Sequence, residues 1–292
     1  MEKVLVIIVT YNGMKWIDRC IGCLSQSIIP VDVFVVDNNS TDGTPTYIKE
    51  HFPNCMLIES KQNLGFGKAN NLGLKYALEN NYDFVYLLNQ DAWIFEDTLS
   101  KLIEVYRNDS SFGILSPLQT NSECSKLDRN FEYNSPKEML SDISANNCRA
   151  VYETRFIMAA HWLLPKETIF SVGGFSPSFP HYGEDVDYVN RVHYHGYKVG
   201  VVPSVKGVHD REHRVESKDL KIRKRWLESV VVLNNPCKKG GVQILIKQLI
   251  HLLYYGMKNC SISIFKYGVL LVKKYPYYVK NRNISRGKTA FI

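Results

Sequence analysis

Three carboxylates stand within four residues in the second half of the chain, at Glu184, Asp185 and Asp187. Acids this close together raise one another's pKa, which can leave one of them ready to take a proton as a general base. The same residues open a stretch with helical spacing at 184–195, and acidic side chains also favour the N-terminus of a helix. The pattern alone therefore leaves a catalytic acid cluster and a plain helix start both open.

A further acid, Asp91, directly follows an apolar run that is typical of a buried strand. Hard divalent cations such as Mg²⁺ and Mn²⁺ prefer oxygen ligands and keep positions free for phosphate oxygens, so Asp91 is a candidate metal ligand. His209 is a second candidate, because imidazole is a common ligand of metals. Either residue could instead be structural, Asp91 as a turn acid and His209 as a solvated or core histidine.

Two polar segments have the composition of nucleotide-binding loops. Residues 37–44 (Asp-Asn-Asn-Ser-Thr-Asp-Gly-Thr) could contact a nucleobase edge and a ribose, or could be a turn with a helix cap. Residues 63–71 (Asn-Leu-Gly-Phe-Gly-Lys-Ala-Asn-Asn) lead into a helix whose first amides could face a phosphate. This second segment is neither a P-loop nor a dinucleotide fingerprint, because Gln62, Ala69 and Asn70 replace required residues.

Short apolar runs alternate with amphipathic stretches over the first 110 residues. We predict strands at 4–9, 31–36, 56–59 and 84–88, and helices at 15–25, 44–51 and 67–80. This alternation predicts a parallel sheet with helices on both faces, and ligands bind beyond the carboxyl ends of such strands. The polar clusters at those ends predict one site; they are residues 10–12, 37–43, 63–67 and 89–91.

The rest of the chain shows weaker patterns. Residues 117–150 are polar and aperiodic, which favours a long loop or an irregular insert near an acceptor. Beyond it we predict a strand within 155–164, a helix at 184–195, a strand at 199–202 and helical structure from 216 onward.

The net charge of +7 conceals a division of the chain. Residues 1–210 carry 18 basic and 25 acidic residues, whereas residues 211–292 carry 18 basic and 4 acidic ones, and none of the acids lies beyond Glu228. Residues 242–280 interleave apolar, aromatic and basic side chains. This pattern is typical of an amphipathic helix in a membrane interface, and a helical cap or a dimer face stays open as the alternative. No recognition motif favours nucleic acid.

The composition is that of a globular protein, with 45% hydrophobic and 22% charged residues. Seven cysteines without an N-terminal secretory pattern predict reduced thiols and a cytoplasmic location, at the inner face of the membrane if the basic tail binds lipid. No run reaches the roughly 18 uncharged apolar residues that a membrane span requires.

Taken in order, these motifs resemble the family 2 glycosyltransferases of the GT-A fold. The resemblance covers residues 4 to about 210 and is similar in style to bacterial rhamnosyl- and galactofuranosyltransferases of cell-surface polysaccharide assembly. It is carried by 9–12 (Val-Thr-Tyr-Asn), 37–44, 63–67, 88–91 (Leu-Asn-Gln-Asp), 173–175 (Gly-Gly-Phe) and 184–187 (Glu-Asp-Val-Asp). It implies an α/β, Rossmann-like mixed sheet with helices on both faces in residues 1–212, and a basic helical extension in 213–292.

The resemblance also implies a role for each matching residue. Asp185 would be the catalytic base, and Asp91 and His209 would hold the metal. Asn89 stands where the family often has a first Asp, so the metal would lose one negative ligand. The donor would lie against Thr10, Tyr11, Asn12, Asp37, Asn39, Asp42, Asn63, Gly65, Phe66, Asn70, Asn89 and Gln90. The acceptor side would include Trp162, Gly174, Phe175 and Glu184.

The implied activity is that of an inverting hexosyltransferase with Mg²⁺ or Mn²⁺ as cofactor. It would move a sugar from a nucleotide diphosphate sugar to a hydroxyl of a saccharide or of a lipid-linked saccharide. Two alternatives stand beside it. A sugar-nucleotide pyrophosphorylase would need a basic Gly-rich loop after the first strand, which residues 11–14 (Tyr-Asn-Gly-Met) are not. A non-catalytic, nucleotide-sugar-binding or membrane-associated relative is kept open by Asn89 and opposed by the intact acid cluster. The donor sugar, the linkage and the oligomeric state stay open.

Overall fold

The computed structural model of the chain describes residues 2–210, 217–259 and 263–292. Within these ranges, nine strands form one sheet. The strands are β1 Val4–Thr10, β2 Val31–Asp37, β3 Met56–Glu59, β4 Phe84–Asn89, β5 Ala92–Ile94, β6 Phe112–Thr120, β7 Tyr152–Glu153, β8 His161–Pro165 and β9 Lys198–His209.

Helices cover the sheet and continue beyond it toward the C-terminus. They are α1 Ile17–Gly22, α2 Thr44–His51, α3 Phe66–Glu79, α4 Thr98–Asn108, α5 Arg129–Asn134, α6 Lys137–Ser144, α7 Lys166–Val172, α8 Glu184–Tyr194, α9 Lys218–Asn234, α10 Val242–Lys258 and α11 Ser263–Ile284. A 3₁₀ turn at Cys23–Gln26 extends α1.

The sheet has the strand order β3-β2-β1-β4-β8-β6-β9-β5, and β7 pairs with β9. The first four strands in this order are parallel, as the alternation predicts. The sheet becomes mixed at β8, which is antiparallel to both β4 and β6, and again at β5, which is antiparallel to β9. The mixed sheet with helices that the sequence resemblance implies is therefore confirmed.

The two faces of the sheet bury two apolar cores. Alternate side chains of β1 enter opposite cores: Leu5 and Ile7 pack in the core beside α3, α7 and α8, and Val6 and Ile8 pack in the core beside α1 and α4. Side chains that alternate across a pleated strand and are buried on both faces explain why this strand reads as a continuous apolar run.

The register of the parallel strands brings their carboxyl ends to one edge. Thr10 of β1 is paired with Asp37 of β2, and Val9 is paired with Asn89 of β4. The polar residues that follow these strands therefore start from one rim of the sheet, which is the arrangement that the sequence predicts.

Residues 117–150 were predicted as a long loop or an irregular insert, and they are not one long loop. Strand β6 continues to Thr120, and α5 and α6 follow it. Helix α5 begins at Asp128, whose carboxylate accepts hydrogen bonds from the backbone of Asn130 and Phe131. Phe131 of α5 and Met139 of α6 are buried in the core, and Leu140 and Ile143 of α6 pack against it, so apolar side chains attach both short helices to the body.

The last three helices form a further small core. Helices α10 and α11 run antiparallel, since Gly256 approaches Ile264 and Gly268 approaches Leu249. Trp226 of α9 stacks on Tyr267 of α11, with ring centroids 5.3 Å apart. Among the described residues, no helix has the length and apolar content that crossing a membrane would require.

These helices contact the body at the segment that precedes α8. Phe179 packs in their core. The hydroxyl of Ser178 donates to Asn234 Oδ1 of α9 at 2.8 Å and accepts from Asn281 Nδ2 of α11 at 2.8 Å. The C-terminal helices therefore support the segment from which the acid cluster begins.

Residues 289–291, here called the C-terminal strap, return to the body. The amide of Thr289 donates to the carbonyl of Phe170, and the amide of Gly174 donates to the carbonyl of Ala290 at 2.7 Å. Asn71 Nδ2 of α3 donates to the Phe291 carbonyl at 3.2 Å. The strap thus joins α3, α7 and the turn at Gly174.

Candidate active site

The ends of β1 and β2 are joined by a buried carboxylate. Asp37 is almost fully buried, and its Oδ1 accepts a hydrogen bond from Thr10 Oγ1 at 2.9 Å and from Ser40 Oγ at 2.5 Å. Its Oδ2 accepts from the Ser40 amide at 2.9 Å. The carboxylate thereby fixes the shape of the turn after β2, and Ser40 is a member of this group that the sequence analysis did not single out.

The loop after β1 is tied to its neighbours by side chains. Asn12, which has a left-handed backbone (φ 50°), accepts from the Thr41 amide at 2.9 Å through Oδ1. Asp42 Oδ2 accepts from the Met14 amide at 3.1 Å. Gln90 uses both ends of its amide on the backbone of Tyr11, at 2.8 and 3.2 Å. The side chain of Gln90 thus positions Tyr11, whose own ring is 49% exposed at the rim.

The loop after β3 is held to the same rim by Asn38. Its Oδ1 accepts from the Leu64 amide at 3.1 Å. Gly65 has a left-handed backbone (φ 77°), and a Cβ there would overlap the carbonyl oxygen of Pro180. Only glycine permits both features. This close approach brings the loop at 63–66 against the segment that leads into the acid cluster, and Asn63 stays exposed there.

Asp91 and His209 meet although 118 positions separate them in the chain. Strand β5 pairs with β9 so that Ala92 lies opposite His209. Asp91 Oδ1 is 3.4 Å from His209 Nε2, and the Asp91 carbonyl accepts from the Asp210 amide at 2.8 Å. His209 is buried, so a carboxylate oxygen and an imidazole nitrogen are held together next to the strand end that carries Asn89.

A second histidine, His161, bonds to the strand that carries His209. His161 is fully buried, its Nδ1 lies 2.9 Å from the Tyr86 hydroxyl, and its Nε2 lies 2.9 Å from the carbonyl of Val208. Burial lowers the pKa of His161 to about 3, so the ring is neutral. Because the Val208 carbonyl accepts a hydrogen bond, Nε2 carries the proton and Nδ1 accepts from the tyrosine. The chain from Tyr86 to Val208 fixes β9 one residue before His209.

The three acids at the start of α8 differ in environment. Asp187 is buried and forms an ion pair with Arg191 at 3.0 Å, which gives it a structural role. Burial, together with the negative charge of Asp185, raises the pKa of Glu184 to about 8. Glu184 Oε2 is buried without a hydrogen-bond partner among the described residues. Asp185 is partly exposed, so it is the acid of this cluster that solvent can reach.

The resemblance places Trp162, Gly174 and Phe175 on the acceptor side. All three residues are buried in the structure, so none of them offers a surface to an acceptor. Trp162 lies in β8 and stacks on Phe175, with ring centroids 6.3 Å apart and ring planes 11° apart. Large aromatic rings gain most free energy when their whole surface is buried, and these two fill the core under α8. They form the floor of the acid cluster.

Asn70 also differs from its predicted place at the donor. It is buried in α3, and its Nδ2 donates to the carbonyl of Phe66 at 3.0 Å. The neighbouring Asn71 has the more far-reaching contacts, since its Oδ1 accepts from the Phe175 amide at 2.6 Å. Sequence periodicity gave no means to separate these two adjacent asparagines.

The comparison with protein families matches residues 5–163 to glycosyl transferase family 2. The N-acetylglucosaminyl-diphospho-decaprenol L-rhamnosyltransferase of Mycobacterium tuberculosis is 27% identical over 239 residues, which are 71% of this chain and 76% of the relative. The undecaprenyl-phosphate mannosyltransferase of Micrococcus luteus is 30% identical over 108 residues, 36% of this chain and 44% of the relative.

Solved structures show the same fold. The mannosyltransferase PcManGT of Pyrobaculum calidifontis, solved with GDP-Man and Mn²⁺, superposes with a TM-score of 0.58 at 19% identity and covers 96% of this chain and 84% of its own. Residues 1–349 of TarS from S. aureus, solved with UDP, superpose with a TM-score of 0.57 at 18% identity, covering 81% and 67%. With the family match over more than half of its length, the chain belongs to glycosyl transferase family 2 and is a glycosyltransferase of the GT-A fold.

Proposed function

We propose that this glycosyltransferase is metal-dependent and inverting, and that it uses a nucleotide diphosphate sugar as donor. The observation that carries the proposal is the contact of Asp91 Oδ1 with His209 Nε2 at 3.4 Å, beside the carboxyl ends of β1, β2 and β4. A carboxylate and an imidazole at the rim where nucleotides bind in open sheets are suited to a metal that also contacts a diphosphate.

The side chains of Asp91 and His209 suit an Mn²⁺ or Mg²⁺ ion that is held by few protein ligands. Among the described residues, no group of three or more His, Cys, Asp and Glu side chains could hold a metal ion. Such ions are commonly held by one or two protein groups, with the remaining positions taken by substrate phosphates and water. Asp91 and His209 would supply the protein ligands, and Asn89 leaves the site one negative charge weaker. When bound, the ion would neutralise the leaving nucleotide diphosphate.

Exposed residues of the rim are the ones we assign to the donor. Tyr11, Asn39 and Asn63 are exposed at the three loops, and they can contact a base, a ribose and a phosphate. The pocket would also be shaped by residues whose polar groups mostly bond to each other or to neighbouring loop residues already, namely Thr10, Asn12, Asp37, Asp42, Gly65, Phe66 and Gln90.

Asp185 is the base in this proposal. It would take the proton of the acceptor hydroxyl while that oxygen attacks the anomeric carbon and the bond to the nucleotide diphosphate breaks. One displacement inverts the configuration at that carbon. Glu184 is buried and stays protonated below about pH 8, so it does not compete as a base at neutral pH.

The acceptor we propose is a lipid-linked saccharide in the assembly of a cell-surface polysaccharide. The rhamnosyltransferase and mannosyltransferase relatives carry polyprenyl-linked compounds in their names. We assign catalysis to residues 1–212 and peripheral membrane contact, at the cytoplasmic face, to residues 242–280 of the extension 213–292. No feature of either part supports nucleic-acid binding.

The experiment is a nucleotide-release assay with UDP-, GDP- and dTDP-sugars, with and without Mn²⁺, on wild type and Asp91→Ala. We expect one donor to support metal-dependent release that the variant loses. Asp97→Ala is the matched control, because Asp97 is a partly exposed acid whose carboxylate pairs with Lys101 on α4. Binding of nucleotide without release would indicate a missing acceptor. Neither binding nor release would favour the non-catalytic alternative.

The role of Asp185 has its own test. The Asp185→Asn variant keeps the size of the side chain and should lose about 10²–10⁴-fold in transfer rate, because a positioned base is worth that much. Its metal-dependent nucleotide binding should equal that of wild type. Normal turnover in this variant would remove Asp185 from the proposed role.

A further inference from the structure

Helix α10 has two apolar faces, and only one of them is covered. Leu245, Leu252 and Gly256 point into the core of the C-terminal helices. The opposite side carries apolar side chains that recur every three or four residues and are between 42% and 71% exposed. They are Val242, Ile246, Ile250, Leu253, Tyr254 and Met257.

Helix α11 repeats the arrangement. Ile264, Leu271 and Tyr278 are buried against α9 and α10. Phe265, Val269 and Val272 lie on the other side and are exposed, at the four- and three-residue spacing of one helical stripe. Large apolar side chains that form contiguous exposed stripes, as opposed to single exposed residues, mark a surface that binds something.

Basic residues border both stripes. On α10, Lys247 precedes Ile250 by three residues, and on α11 Lys266 and Lys273 stand three residues before and four residues after Val269, so each lysine lies beside the stripe. Beyond Glu228 the sequence has eleven lysines and arginines and no acidic residue. The surface is therefore apolar in the middle and cationic at its margin.

We propose that the exposed stripes of α10 and α11 are a docking surface for an anionic phospholipid bilayer, with both helices lying in the plane of the headgroups. Apolar side chains of such helices enter the boundary between headgroups and acyl chains, and lysines at the margin contact the lipid phosphates. This inference rests on the proposed membrane contact of residues 242–280 and names the face and the lipid charge.

The charge distribution favours a bilayer over a second copy of the chain. Two copies that met through these stripes would bring the lysine margins of both toward each other, and neither copy has an acidic residue on α10 or α11 to pair with them. Like charges across an interface oppose association. An anionic membrane supplies the missing negative charge.

Point substitutions in the full chain test the inference, because removal of the helices would also remove the C-terminal strap and its bonds to Gly174. The variant Ile246→Gln/Ile250→Gln/Met257→Gln changes exposed positions only. Its matched control is Ile58→Gln/Leu72→Gln, which removes exposed apolar side chains from β3 and α3, outside the C-terminal helices. Binding is measured by co-sedimentation with vesicles of phosphatidylcholine alone and of phosphatidylcholine mixed with phosphatidylglycerol.

We expect wild type and the control to bind the mixed vesicles at least tenfold more tightly than the neutral ones, and the triple variant to lose at least tenfold. Equal sedimentation of triple variant and wild type would overturn the inference. Light scattering that shows a dimer in wild type and a monomer in the triple variant, without vesicle binding, would assign the surface to a second copy. Metal-dependent nucleotide release, measured without vesicles, reports separately on the proposed catalytic function.

Discussion

Arg191 offers the strongest test of how the acid cluster is held in place. Its guanidinium is fully buried and donates to Asp187 at 3.0 Å, to the Val172 carbonyl at 2.9 Å and to the Gly174 carbonyl at 2.6 Å. In Arg191→Leu, Asp187 keeps a buried charge without a partner, which costs about 3–5 kcal/mol. Two carbonyls lose their donor, at about 1–3 kcal/mol each. Together these losses predict that the free energy of unfolding falls by at least about 5 kcal/mol.

The loss of stability in Arg191→Leu should increase as the pH rises. Burial raises the pKa of Asp187 to about 6 even while the charge of Arg191 lowers it, so removal of Arg191 raises this pKa further. When the pKa of an acid is higher in the folded protein than in the unfolded one, the free energy of unfolding falls as the pH rises from the unfolded-state pKa to the folded-state pKa. The gap between variant and wild type should therefore widen above pH 6, as measured by urea denaturation.

The matched control removes both charges. Asp187→Leu/Arg191→Leu leaves no buried ion, and we expect it to be more stable than Arg191→Leu alone, because apolar replacement of a buried pair is often close to neutral. A fall of less than about 1 kcal/mol in Arg191→Leu, or a loss that does not change with pH, would refute the reasoning.

Three further predictions concern the site and its support. Wild type should lose stability between about pH 4.5 and 8, because folding keeps Glu184 protonated. Glu184→Gln should therefore be the more stable protein at pH 8, by about 1.4 kcal/mol per unit of pKa difference. Coincident melting curves of the two proteins at pH 8 would contradict this. Tyr86→Phe removes the donor to His161 and should cost about 1–3 kcal/mol and raise the Mn²⁺ concentration needed for nucleotide release, whereas a purely structural role would change stability alone. Gly65→Ala should abolish donor binding, measured by calorimetry, because its Cβ overlaps a backbone oxygen; unchanged affinity would exclude the close approach.

The sequence predicted the first half of the sheet well for a physical reason. Strands such as β1 are buried on both faces, and each is followed by polar residues at its carboxyl end, so apolar runs and polar breaks alternate clearly. Strand β3 and helix α2 are found at their predicted bounds. The pairing of Asp91 with His209 could not be derived in this way, because it depends on the antiparallel contact of β5 with β9, and periodicity contains no information on strand order.

The misplaced residues share a different cause. The resemblance places Trp162 on the acceptor side, yet β8 is inserted between β4 and β6 and Trp162 is fully buried there. For helix α10, the sequence does not show which apolar face is buried. Its apolar side chains cover more than one face, and only the structure separates the stripe that packs inward from the stripe that stays exposed.

The C-terminal strap helps to fix the distance between the C-terminal helices and the segment that carries Asp185. Residues 289–291 are fastened to the turn at Gly174, and α9 and α11 are fastened to Ser178, so the segment that carries Asp185 is held at two points by the same part of the chain. The helices cannot swing away from the body without breaking both attachments. If Asp185 is the base and α10 lies on the membrane, as proposed, this fixed distance sets how far above the bilayer the acceptor hydroxyl must stand.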